Sequence, residues 1–149
     1  MSASALSVPP AGAPLHVLLA EDDAVNQLLA TRLLQKRGHS VVVAGDGRQA
    51  IEAFARERFD LVLMDLHMPR VGGVEAAVAI RAAEAGTGRR VPIIAVTANT
   101  KSQAAEQCFA ADMDAYMSKP FRAADLFEAI ARLLGSPAPH APGAEPAAR

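Results

Sequence analysis

Five short apolar runs punctuate the chain, at residues 16–20, 40–44, 60–65, 91–97 and 115–118. They are rich in Val, Ile, Leu and Ala and read as strands, the central ones buried on both faces. Helical patterns fill the gaps. Val25, Leu28, Leu29 and Leu33 fall at helical spacing, and Gly38 closes that helix. Residues 47–57 predict a second helix with Ile51, Phe54 and Ala55 on one face. Residues 73–85 predict an Ala-rich third, ended by Gly86-Thr87-Gly88. Residues 102–111 predict a fourth with a thin apolar stripe, as expected of a mobile, partner-facing element. Residues 123–134 predict a fifth with Leu126, Phe127, Ile130, Leu133 and Leu134 inward. Strict alternation of strand and helix implies an α/β fold, with a parallel sheet covered on both faces. Pattern alone leaves the strand order open.

The polar residues that end these runs carry the chemistry. Glu21-Asp22-Asp23 ends the first strand, Asp65 the third, Thr97 the fourth and Lys119-Pro120 the fifth. Ligands of open parallel sheets bind beyond the carboxyl ends of the strands, so these groups read as one site. A carboxylate at a buried strand tip is costly unless paired. The acids at Glu21, Asp22 and Asp65 would also repel one another, by about 4 kcal/mol per pair at 4 Å and an effective dielectric near 20. A hard divalent cation relieves that repulsion, and Mg²⁺ suits carboxylates, water and a phosphate oxygen. An aspartate can also be a nucleophile toward phosphorus. Lys119 and the Thr97 hydroxyl could then serve other phosphoryl oxygens, and Ala98 leaves room for the group. The bland readings are a helix cap for Asp65, helix N-terminal acids for Glu21 and Asp22, and a solvated surface charge for Lys119.

Composition narrows the field. The chain has 149 residues and a formal net charge of −1, which points to one domain with a sizeable core and no electrostatic footprint for nucleic acid. Cys108 has no partner for an internal disulfide, and His16, His39, His67 and His140 lack metal-ligand spacing. There is no membrane-length apolar run and no secretory pattern, so a cytoplasmic location is the default. Seven of the ten prolines fall in the Ala-rich ends. The expected organisation is a flexible tail at 1–14, one domain at 15–135 and a Pro/Ala-rich flexible tail at 136–149.

The strings LLAEDDAVNQ, FDLVLMDLHMPRVGG, VPIIAVTAN and DAYMSKPF, in this order and spacing, resemble the receiver domains of response regulators in two-component signalling. The resemblance covers roughly 16–134. It implies a flavodoxin-like doubly wound (βα)5 fold with strand order 2-1-3-4-5. It implies a phosphoryl-accepting switch in which Asp65 takes a phosphoryl group from a histidine kinase or histidine phosphotransfer domain and changes the surface of the fourth helix, fifth strand and fifth helix. Glu21, Asp22, Asp65 and the His67 backbone carbonyl would hold Mg²⁺ or Mn²⁺. Thr97 would be the switch hydroxyl, Lys119 the cation and Tyr116 the aromatic that follows phosphorylation. The side chains of His67 and Asn99 would tune hydrolysis, and the Lys119-Pro120 bond would be cis. The partners implied are the phosphodonor and a downstream protein target, with no nucleic acid, no direct membrane insertion, and a mostly monomeric state open to transient dimers. Such a domain catalyses only its own phosphorylation and dephosphorylation. The strings around Glu21 and Gln27 look like receivers of hybrid kinases, which leaves a free-standing regulator and an excised module both open. Three departures stand out: Gly72 where Asp is usual, which could loosen the start of the third helix; Asp23 where Asn is common; and Asp112 where Gly is usual, at a position that favours positive φ. The competing reading is an aspartate-nucleophile phosphatase of the haloacid-dehalogenase type, although that class wants a second Asp where His67 stands. A flavodoxin-like nucleotide binder is a weaker reading, because no Gly-rich phosphate loop follows the first strand.

Overall fold

A computed structural model describes residues 14–68, 70–98, 101–119 and 122–134. The elements run β1 His16–Ala20, α1 Ala24–Lys36, β2 Ser40–Ala44, α2 Gly47–Arg56, β3 Leu61–Asp65, α3 Gly73–Glu84, β4 Ile93–Thr97, α4 Lys101–Ala110, β5 Ala115–Ser118 and α5 Ala123–Leu133. All strands pair in parallel, in the order β2-β1-β3-β4-β5, as the resemblance implies. Two of the three interior strands, β3 and β4, are buried at every residue. Such continuous apolar runs are what a sheet covered on both faces requires.

Side chains alternate between two cores with the period of two that a strand imposes. Leu18, Val62, Met64, Ile93 and Ala95 pack with Ala50 and Ala53 of α2 and with Ala76, Ala77 and Ile80 of α3. Val17, Leu19, Leu61, Leu63, Ile94 and Val96 pack with Leu34 of α1 and with Leu126 and Ile130 of α5.

Several expectations shift against these packings. In α1 only Leu33 of the stripe read from sequence packs against the core, and it is half-buried. Ala30 and Leu34 face the core, while Val25 and Leu28 are 72% and 52% exposed and Leu29 is also exposed. In α2 the deepest positions are Ala50 and Ala53, and Ala55 is exposed, because small residues let that helix lie close to the sheet. β4 starts at Ile93, two residues after the expected start at Val91. The Val91 N–H is taken by the Glu84 carboxylate, and Pro92 has no N–H to give to a ladder. Gly72 does not leave the start of α3 untied. Its N–H donates to Glu75 Oε1 at 2.9 Å, and its carbonyl accepts from Ala76 N at 3.0 Å. Asp112 does adopt a positive φ of 57°, and Arg90 clasps its carboxylate at 2.9 and 3.1 Å. Both tails read from sequence lie outside the described residues, apart from Pro14 at the end of the first. No described helix is long and apolar enough to cross a membrane.

Candidate functional site

The strand order reverses direction around β1 and β3, and the carboxyl ends of β1, β3, β4 and β5 open on one edge of the sheet. Glu21 continues from β1, Asp65 ends β3, Thr97 ends β4 and Lys119 follows β5. Three of the four are almost wholly buried: Glu21, Asp65 and Thr97. Lys119 reaches in from the rim. Its Nζ lies 2.9 Å from Asp65 Oδ2 and 3.4 Å from Glu21 Oε2. Its backbone N–H donates to the Thr97 carbonyl at 2.9 Å, which ties the end of β5 to the end of β4.

Glu21, Asp22 and Asp65 each offer one carboxylate oxygen, all within 4.8 Å of one another. Glu21 Oε2 accepts the Asp23 N–H at 3.1 Å. Glu21 Oε1 is buried with no hydrogen-bond partner among the described residues. Burial, and then the neighbouring Asp65 carboxylate, raise the Glu21 pKa to about 7, against the pull of the Asp23 amide and Lys119. Burial pulls the Lys119 ammonium down, yet Asp65 and Glu21 outweigh it and leave that pKa raised. An all-oxygen donor set with an orphaned buried oxygen and excess negative charge fits a small hard cation.

The flanking loops hold the acids in place. Gln27 Nε2 donates to the Glu21 carbonyl at 2.6 Å. Asp23, expected beside the metal pair, instead caps α1 by accepting the Asn26 N–H at 2.9 Å; it is not in the acid cluster. After β3, the His67 N–H donates to Asp65 Oδ1 at 3.0 Å, and the His67 side chain is exposed. Gly73 lets α3 press against β3: a Cβ there would sit 2.2 Å from the Asp65 carbonyl oxygen. Tyr116 lies on the edge strand β5, 39% exposed rather than buried. It borders a groove of about 810 Å³ between α4, β5 and α5, lined also by Phe109 and Glu128. Asn99 and the Lys119-Pro120 bond lie outside the described residues. Sequence reasoning missed Gln27 and the Asp46–Arg70 contact described below. The first hides as an ordinary helical glutamine, and the second joins residues 24 positions apart.

An aspartate at the tip of a buried parallel strand, flanked by two acids and paired with a lysine, makes one compact acidic site at the carboxyl edge of the sheet. The chain belongs to the response regulator receiver domains, whose family pattern matches residues 17–131. Over 83% of its length it is 38% identical to the sensor histidine kinase AruS of Pseudomonas aeruginosa, and over 84% it is 34% identical to probable histidine kinase 1 of Oryza sativa. The chain spans 13% and 16% of those relatives. Among solved structures it is similar to the receiver domain of a Pseudomonas aeruginosa sensor histidine kinase with magnesium coordinated in its active-site cleft. That likeness has 41% identity and a TM-score of 0.74, and covers 83% of this chain and 100% of the other. It is also similar to the receiver domain of the Saccharomyces cerevisiae regulator Ssk1, solved with the histidine phosphotransfer protein Ypd1. There the identity is 28% and the TM-score 0.73, with 79% of this chain and 87% of the other covered. The chain is thus a receiver domain of phosphorelay signalling. The haloacid-dehalogenase reading gains no support: His67 stands where that class needs its second aspartate.

Proposed function

We propose that Asp65 is the phosphoacceptor and that a phosphohistidine on a kinase or a histidine phosphotransfer domain is its donor. A carboxylate oxygen of Asp65 attacks phosphorus, the P–N bond breaks, and the imidazole leaves with the electron pair and takes up a proton. Glu21, Asp22, Asp65 and the His67 carbonyl would hold Mg²⁺, or Mn²⁺ in its place. The bound cation supplies positive charge beside the phosphoryl oxygens. Lys119 exchanges its ion pair with Asp65 for a phosphoryl oxygen, and the Thr97 hydroxyl donates to another. Each move starts at the end of β4 or β5, so the change passes to the groove beside Tyr116, between α4, β5 and α5. The side chains of His67 and Asn99 tune the lifetime of the phosphoryl group.

The observation that carries this reading is the Lys119–Asp65–Glu21 contact set, with an orphaned oxygen on Glu21. The exposed Val25 and Leu28 on α1 give a donor an apolar surface next to the acids. Residues 15–135 work as the switching module and the Pro/Ala-rich segment 136–149 as a tether. The output is a protein contact or onward phosphotransfer, the domain catalyses no chemistry beyond its own phosphorylation and dephosphorylation, and it works in the cytoplasm. Incubation with Mg²⁺ and acetyl phosphate tests the reading. Formation of an acyl phosphate without turnover of phosphomonoesters supports it. Steady phosphomonoester hydrolysis would replace it with the phosphatase reading.

A further inference from the structure

The loop between β3 and α3 carries His67 and leads away from Asp65, yet it has little regular structure of its own. The start of α2 holds it. Arg70 donates from Nη2 and Nε to Asp46 Oδ2, at 3.0 and 3.3 Å. Asp46 is buried, and its other oxygen caps α2 by accepting the Gln49 N–H at 2.8 Å. One residue on, the Gly47 N–H donates to the Val71 carbonyl at 3.0 Å. Gly47 is required there, since a Cβ would sit 2.2 Å from that carbonyl oxygen. Arg70 itself has φ of 64°, a left-handed conformation that a non-glycine residue keeps only when its surroundings impose it. A strained residue, a buried carboxylate and a glycine with no spare space thus converge on one turn, 24 residues away in sequence.

We propose that Asp46 and Arg70 are positioning residues for the phosphorylation site, clamping the loop at Arg70 and Val71 so that the His67 carbonyl is set for the divalent cation. This rests on the reading that Glu21, Asp22 and Asp65 bind that cation. The carboxylates are carried by the ends of β1 and β3, so the clamp bears on the His67 carbonyl and on the His67 N–H that holds Asp65 Oδ1, and not on where the acids stand in the sheet. Loss of the clamp therefore weakens the cation without abolishing it. Groups that orient metal ligands from behind are worth about tenfold or more in affinity.

The test is Mg²⁺ titration by calorimetry of the whole chain, alongside metal-free melting and hydrogen exchange of the His67 amide. Arg70→Gly removes the Arg70–Asp46 contact, leaves the Gly47–Val71 backbone bond, and also relieves the positive φ. The expected result is Mg²⁺ affinity about tenfold weaker and faster His67 exchange, with metal-free melting unchanged or raised. Arg70→Lys should recover part of the affinity. Asp46→Asn keeps an oxygen for the cap, and the double variant Asp46→Asn/Arg70→Gly should be no weaker than Arg70→Gly alone. Arg70→Gly binding Mg²⁺ within about twofold of the parent overturns the clamp while leaving the metal site standing. Effects of the two substitutions that multiply in the double variant also overturn it. A parent chain that binds no Mg²⁺ overturns both the clamp and the reading beneath it.

Discussion

Replacing Glu21 by Gln should make the metal-free domain more stable while removing its cation. The ionised carboxylate sits in a buried site facing Asp65, and its Oε1 has no partner among the described residues. The rise of its pKa from 4.5 to about 7, at about 1.4 kcal/mol per pH unit, makes the ionised form cost about 3 kcal/mol. An amide removes that charge, can still accept the Asp23 N–H through its oxygen, and can donate toward Asp65. Its own burial takes back part of the gain, leaving about 1–2 kcal/mol. The sign follows from proton uptake. Between pH 4.5 and about 7 the folded chain keeps a proton that the unfolded chain has lost, so the stability of the parent falls as pH rises through that window. The advantage of Glu21→Gln should therefore be absent below it, grow across it and level off above. Urea denaturation without metal, at about pH 4 and about pH 8, measures this. Saturating Mg²⁺ should reverse the order at about pH 8, because a ligand that binds only the folded state stabilises the parent alone. A variant less stable than the metal-free parent at about pH 8, or one whose advantage ignores pH, refutes the claim that Glu21 is a strained acid awaiting a cation.

Lys119→Met leaves Asp65 and Glu21 without their cation and should cost the metal-free domain about 2 kcal/mol by urea denaturation; added Mg²⁺ should restore part of it. Gly73→Ala drives a Cβ to 2.2 Å from the Asp65 carbonyl oxygen, so its melting temperature should fall by the equivalent of about 2–3 kcal/mol, with Mg²⁺ affinity falling as α3 is pushed off β3. The Gln49 amide, with help from Arg70, holds Asp46 below its ordinary 3.8. Its contribution is thus fully present above that value and lost as pH falls through the lower folded one, so acid unfolding curves of Asp46→Asn and the parent should converge at the acid end.

The fold was legible because its signals are redundant. β1, β2 and β5 have the bounds that their apolar runs suggest, and Glu21, Asp65, Thr97 and Lys119 stand where the runs end. The packing face of α1 was not legible. Val25, Leu28 and Leu29 outrank Ala30 in hydrophobicity, but the sheet accepts the small residue and leaves the larger ones outside. A helix face chosen by hydrophobicity alone presumes that every apolar stripe packs on its own core, and the exposed Val25 and Leu28 break that rule. The cap made by Asp23 was not legible either, since three acids in a row look alike until the turn sends one to the start of the helix. The Asp46–Arg70 contact joins residues 24 apart through a positive φ at Arg70, and no local pattern announces it.

The most direct test of the central claim is to trap the phosphorylated residue. The chain is incubated with acetyl phosphate and Mg²⁺, the acyl phosphate is reduced with borohydride, and the modified residue is located by peptide mass mapping. One modified residue is expected, Asp65, with the modification lost in Asp65→Asn and on chelation of the metal. Modification at Glu21 or Asp22, or a signal that survives in Asp65→Asn, would contradict it.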